Sequence, residues 1–150
     1  MSSIDPVITK ARAYCARQER CQQEVRDKLY AWGAHQKEVE ATITKLITEG
    51  FLNEARFAEH FAVSKFRQKG WGRRKIEEAL KLKRVSEPCI RLGLKAVDGT
   101  EYQMQLTEAV RKRWEKAKEP DAYIKRQKAM AYFLRRGFSV EQIETALEHV

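Results

Sequence analysis

The chain has 150 residues, 43% of them hydrophobic and 34% charged, with three prolines and seven glycines; that is enough apolar material for a core, in a composition that leans towards helix. Its net charge of +9 favours an acidic or polyanionic partner. No run approaches the roughly 18–20 apolar residues that span a bilayer, and Cys15, Cys21 and Cys89, an odd set without CxxC spacing, imply neither a disulfide framework nor a zinc site and read as small buried or half-buried residues.

The chain starts MSSIDPVITKARAY, with no apolar core behind a basic end, so a cytoplasmic location is expected. A first helix is read from Val7 and Ala11, a second from the i, i+4 pair Val25 and Leu29, and a third from the i, i+4, i+7 triplet Val39, Ile43 and Leu46. Gly33 suits a left-handed stop between the second and third, and His35 stands where a cap or surface residue belongs. The same grammar returns about fifty residues on. Phe57 and Phe61 predict a helix, Ile76 and Leu80 the next, and Ile90, Leu94 and Val97 a third, with Ser86 as its cap and Pro88 in its first turn. It then returns once more, as Val110 and Trp114, then Ala129 and Phe133, then Ile143, Leu147 and Val150, with Gly137 at the stop and Ser139 and Gln142 in a capping-box pattern.

These spacings predict an all-α protein of three tandem three-helix repeats, over 1–52, 53–98 and 99–150. One such unit buries too little surface alone, so the repeats are expected to stack into an elongated or curved array, as a monomer. The aromatic residues at helical spacing, Phe57, Phe61, Phe66, Trp114, Tyr132 and Phe133, read as core. One irregularity stands in the second copy, where Arg84 occupies the helix-stop position; a non-glycine residue held left-handed there costs roughly 1 kcal/mol.

Charge is distributed unevenly. Residues 56–95 hold 12 Lys and Arg against 4 Asp and Glu, and carry +8 of the +9, while a second basic block runs from Arg111 to Arg136. The densest part is RQKGWGRRKI, Arg67 to Ile76. If Gly70 ends one helix and Gly72 opens the next, Arg73, Arg74 and Lys75 fill a first turn, where the macrodipole is positive and cations are mildly unfavourable. Pairs between Arg73 and Glu77 and between Arg74 and Glu78 give a structural reading, though cation before anion is the weaker order. The functional reading sets an anionic partner against the helix start, where backbone N–H groups and cations act together. On that reading, replacing the three cations by alanine leaves the helix at least as stable. The candidate binding residues are Lys65, Arg67, Lys69, Trp71, Arg73, Arg74 and Lys75, with Lys125, Arg126, Arg135 and Arg136 from the second block. Trp71 fits either a packing anchor or an exposed contact.

Catalysis finds little support. His35, His60 and His149 lack metal-ligand spacing, Glu77 and Glu78 read as helix-surface charges, and GxxxxGK[ST], GxGxxG and GxSxG do not occur. No enzyme activity and no cofactor are expected.

The run FLNEARFAEHFAVSKFRQKGWGRRKIEEAL, Phe51 to Leu80, resembles the RecX family of bacterial regulators of the RecA recombinase, and the repeat grammar extends the resemblance over nearly the whole chain. It implies a compact helical molecule of tandem three-helix repeats that is not an enzyme. The implied activity is to bind the RecA filament on single-stranded DNA, lie in its groove and restrain strand exchange and co-protease activity. The basic middle repeat would meet RecA and the enclosed DNA. A helix-turn-helix DNA-binding regulator is the alternative, since LYAWGAHQKEVEATITKL could pass for such a motif, although Gln36, Lys37 and Glu38 give its second helix a mixed start. A structural adaptor is a third, weaker reading.

Overall fold

The computed structural model describes residues 4–150; Met1, Ser2 and Ser3, the start of the stretch read for an export signal, lie outside them. Among the described residues the regular structure is entirely helical: α1 Ile4–Arg17, α2 Gln22–Ala31, α3 Gln36–Thr48, α4 Glu54–Lys69, α5 Arg73–Leu82, α6 Glu87–Lys95, α7 Gly99–Lys116, α8 Ala122–Arg135 and α9 Val140–Leu147. None is long and apolar enough to cross a membrane.

The repeat is visible in how the second helix of each triplet stops. After α2, α5 and α8 the backbone N–H of Ala34, Val85 and Phe138 donates to the carbonyl of Leu29, Leu80 and Phe133, each at 3.1 Å. Orphan carbonyls at the helix end are thereby satisfied. The geometry requires one left-handed residue, supplied by Gly33 at φ 89° and Gly137 at φ 106°, and in the middle copy by Arg84 at φ 59°. The middle stop is therefore built as the others are, with a strained residue. Arg84→Gly should raise stability by about 0.5–1 kcal/mol: about 1–2 kcal/mol of relieved strain, less about 0.5–1 for the freedom glycine adds to the unfolded chain. A lower thermal midpoint in this variant would contradict the shared stop.

Start signals work at the third helices with less uniformity. Ser139 accepts from the Gln142 N–H and the Gln142 side chain accepts from the Ser139 N–H, each at 3.2 Å, closing the box ahead of α9. His35 holds the N-cap of α3 in extended backbone without a side-chain cap hydrogen bond.

The fifteen register positions are buried with two exceptions: Leu94 is half-buried and Val150, at 46%, is exposed beyond the end of α9. In α1 the buried face is Ile8, Ala11 and Cys15, with Val7 partly buried against it, so Ala11 is core as expected and Ile8 takes the place read for Val7. Phe57, Phe66 and Phe133 are core, and Phe61, Trp114 and Tyr132 are half-buried. Cys15 and Cys21 are buried and Cys89 half-buried, all as free thiols. Burial pushes the Cys21 thiol up to about 12, which keeps it protonated and unreactive.

The chain divides into two compact units, one of residues up to His60 with Leu80–Gly93, the other of Phe61–Ala79 with Leu94–Val150. In the first, α1, α2 and α3 pack on one another around Ile8, Ala11, Val25, Leu29, Val39, Ile43 and Leu46. Gly93 of α6 meets α4 backbone to backbone, where a Cβ would stand 2.7 Å from the Ala58 carbonyl oxygen. In the second, α7 packs on α8 and α9. Its buried Tyr102 lies with its ring centroid 5.3 Å from that of Phe66 and 5.1 Å from that of Phe138.

Candidate partner-binding site

The turn between α4 and α5 follows from two glycines with different tasks. Gly70, at φ 68°, takes the left-handed stop, letting its own N–H reach the Phe66 carbonyl at 3.0 Å and the Trp71 N–H reach that of Lys65 at 3.2 Å. Gly72 is needed for space, because a Cβ there would sit 2.3 Å from the Gly137 carbonyl carbon. Between them Trp71 is half-buried, edge-on to Phe61 at 6.4 Å, with the ammonium groups of Lys65 and Lys75 at 5.1 and 4.7 Å from its ring centroid. Trp71 is thus a packing anchor that carries two cations.

The close approach at Gly72 sets the start of α5 against the end of α8. Donors orphaned at one helix end meet acceptors orphaned at the other. Gly72 N–H donates to the Arg136 carbonyl at 2.7 Å, Arg74 N–H to that of Gly137 at 3.1 Å, and Arg73 N–H to the Tyr102 hydroxyl at 2.9 Å. The side chains reinforce the junction. The Arg74 guanidinium donates to the Leu134 carbonyl at 2.8 Å, and that of Arg73 lies 4.1 Å from the Tyr102 ring centroid while donating to the Val97 carbonyl at 3.0 Å. Arg136 donates to the carbonyl of Lys69.

Two expectations are corrected here. The first N–H groups of α5 do not face an anion, because Arg136, Tyr102 and Gly137 take them. Arg73 and Arg74 also have partners beyond their own helix, against the reading that their removal costs nothing: the Arg74 guanidinium donates to the Leu134 carbonyl at the negative end of α8, and that of Arg73 to the Val97 carbonyl. Removing them is expected to lower the thermal midpoint.

The remaining candidates divide by place. Arg67 is exposed and holds the Glu101 carboxylate with two bonds of 2.8 and 3.0 Å, which keeps that carboxyl below its usual range. Lys69 and Arg135 are exposed, and Lys65 and Lys75 flank Trp71 half-buried. Through the α5–α8 junction, Lys65, Lys69, Trp71, Lys75, Arg135 and Arg136 come together in one unit. Lys125 and Arg126 do not join them. They stand at the other end of α8, about 15 Å along a helix that rises about 1.5 Å per residue, where Lys125 covers the Trp114 ring at 4.4 Å.

Two groupings escaped the sequence reading. In the first unit, Tyr14 and Trp32 meet edge-on at 6.2 Å beneath Lys10, Arg20 and Lys28, with the Arg20 guanidinium 3.8 Å from the Tyr14 ring centroid. In the second, the end of α7 and the start of α8 enclose a cleft of about 450 Å³ whose wall includes Trp114, Lys112, Lys116, Lys118 and Lys128. The basic block from Arg111 to Arg136 was a signal for the latter, but a cation count carries no shape.

Three family patterns match the chain along its length: the first three-helix domain of RecX at residues 8–46, the second at 53–94 and the third at 100–147. Regulatory protein RecX of Pseudomonas fluorescens (strain SBW25) is 33% identical over 147 residues, covering 98% of this chain and 93% of its own. That of Vibrio vulnificus (strain CMCP6) is 32% identical over 136 residues, covering 88% and 84%. Among solved structures, RecX from Lactobacillus salivarius superposes with a TM-score of 0.88 over 97% of this chain and 94% of that one, at 22% identity, a likeness of fold.

Proposed function

The chain belongs to the RecX family, and from that premise we propose that it is a non-enzymatic regulator that binds RecA filaments on single-stranded DNA. By binding, it inhibits or modulates recombinase, ATPase and co-protease activity in DNA repair and the SOS response. The cytoplasm is the compartment this reading requires, and a monomer is the form it assigns to the free protein, checked by sedimentation at micromolar concentration.

The observation that carries the binding face is the division of labour among the cations around Trp71. Arg73, Arg74 and Arg136 are spent on the α5–α8 junction. The ammonium groups of Lys65 and Lys75 are held against the Trp71 ring, and Lys69 is exposed at the same turn; charge so placed favours an acidic protein surface and the phosphates within it. The helix-turn-helix alternative rests on α2 and α3, where the mixed start Gln36, Lys37 and Glu38 suits a recognition helix less well than a basic one.

Lys65→Gln, Lys69→Gln and Lys75→Gln together keep most of each aliphatic stem and remove three charges. Affinity for RecA filaments at low salt is expected to fall about tenfold, roughly half a kcal/mol per charge, with the wild-type advantage shrinking as salt screens the contact and the thermal midpoint little changed. Unaltered filament binding would remove this face from the account. Sequence-dependent binding to bare duplex, with no effect on RecA, would favour the DNA-binding regulator.

A further inference from the structure

The cleft at the α7–α8 corner is independent of the face around Trp71. Its lining combines the buried Ala129 and the half-buried Trp114 with six cations: Lys112, Arg113 and Lys116 on α7, Lys118 in the connection, Lys125 and Lys128 on α8. One carboxylate, Glu119, lies in the wall, and Lys128 already holds it at 3.2 Å. Arg113 is occupied with the Tyr132 ring at 3.7 Å, and Lys125 with that of Trp114.

Some of this charge has an internal reason. Arg113 and Lys116 stand in the last turn of α7, where cations complement the dipole. Lys112 and Lys116, however, are like charges at i, i+4, an arrangement that weakens a helix, and Lys118 and Lys125 add to the same field. With Glu119 taken by Lys128, five further cations share the wall, and a multivalent anion would relieve their mutual repulsion.

We infer that this cleft binds a compact chain of linked phosphates, such as a nucleoside triphosphate or inorganic tripolyphosphate carries. The volume lies within the range of about 300–1,000 Å³ typical of small-ligand sites. Linked phosphates concentrate several charges within that space. An acidic peptide in extended form would repeat a carboxylate on one face only about every 7 Å, too sparse to meet the remaining cations in one cleft. Lysine suits the ligand, since its ammonium meets phosphate as a point charge without fixed fork geometry. Trp114, with Lys125 over its ring, lines the same cleft and is the aromatic group a base would meet there.

The test uses the purified full chain without RecA and without divalent cations, titrated by calorimetry with tripolyphosphate, ATP, AMP and orthophosphate. Tripolyphosphate and ATP are expected to bind with one-to-one stoichiometry and at least about tenfold more tightly than AMP or orthophosphate. Equal affinities for the two would assign the interaction to the phosphates alone, and tighter ATP would add the base. Lys112→Gln, Lys116→Gln and Lys118→Gln, exposed side chains lining the cleft, should together weaken both by about tenfold or more, while the triple variant around Trp71 binds as wild type does. Equal weakening by the two triple variants, or a stoichiometry well above one, would reduce the effect to diffuse surface charge and overturn the inference. So would a twenty-residue oligothymidylate that binds more tightly than tripolyphosphate and depends on the same lysines, because the cleft would then be part of a strand groove. Since RecA is absent from every arm, failure here leaves the filament reading untouched.

Discussion

Phe133→Ala is expected to destabilise the protein by about 3–5 kcal/mol, the range for removing a buried aromatic side chain. Phe133 is 4% exposed, and its ring lies 6.3 Å from Phe138 and 4.9 Å from Tyr132. Its carbonyl still accepts the Phe138 N–H whatever the side chain, so the stop after α8 survives and the loss is one of packing. Leu80, at the equivalent place in the middle repeat and fully buried, should cost about 2–5 kcal/mol on truncation. Val150 provides the contrast, because at 46% exposure its change to alanine should stay within about 0.5 kcal/mol. Urea midpoints for the three variants check the register together. If Val150→Ala cost as much as the others, or Phe133→Ala nothing, the repeat would be wrongly placed.

Gly72→Ala should cost about 2–4 kcal/mol. A methyl group at this position would stand 2.3 Å from the Gly137 carbonyl carbon and 2.6 Å from the Phe138 nitrogen. Both are backbone atoms, so no side-chain rotation relieves the clash and the α5–α8 junction must open. Overpacking accounts for about 1–3 kcal/mol and weakening of the Gly72 to Arg136 hydrogen bond for about 1 more. The matched control is Gly99→Ala, where a Cβ would meet nothing within 4 Å. Similar midpoints for the two variants would show that the junction is not closed as described.

The helices and their order were legible because each repeat writes its apolar face at fixed spacing, and burial of Val25, Ile76 and their equivalents enforces it. The middle stop was legible up to its conformation: Arg84 looked like a departure, yet the Leu80 carbonyl and Val85 N–H impose the same left-handed residue there. In the first helix Ala11 was read as core and is, but Val7 stood in for Ile8, because both are apolar and only contact with α2 and α3 decides which turns inward.

The role of Arg73 and Arg74 could not be read from their own helix. Judged by the α5 dipole alone they are misplaced, and what justifies them is a set of carbonyls at Val97 and Leu134, 24 and 60 residues away in sequence. For the same reason the local sequence could not show that the N–H groups at the start of α5 were already taken. Lys125 and Arg126 were grouped with Arg135 and Arg136 by proximity in sequence, although a straight helix separates them. The basic block itself was visible, but its cleft arises only where the 117–121 connection brings the start of α8 back to the end of α7.

The central claim, that this chain regulates RecA on single-stranded DNA, is tested most directly by RecA ATPase activity on that DNA with and without the purified protein. The account predicts a lowered rate that responds to protein concentration and is partly restored when Lys65, Lys69 and Lys75 are changed to glutamine. A rate that stays the same at saturating protein, under salt conditions where the protein is folded, would contradict it.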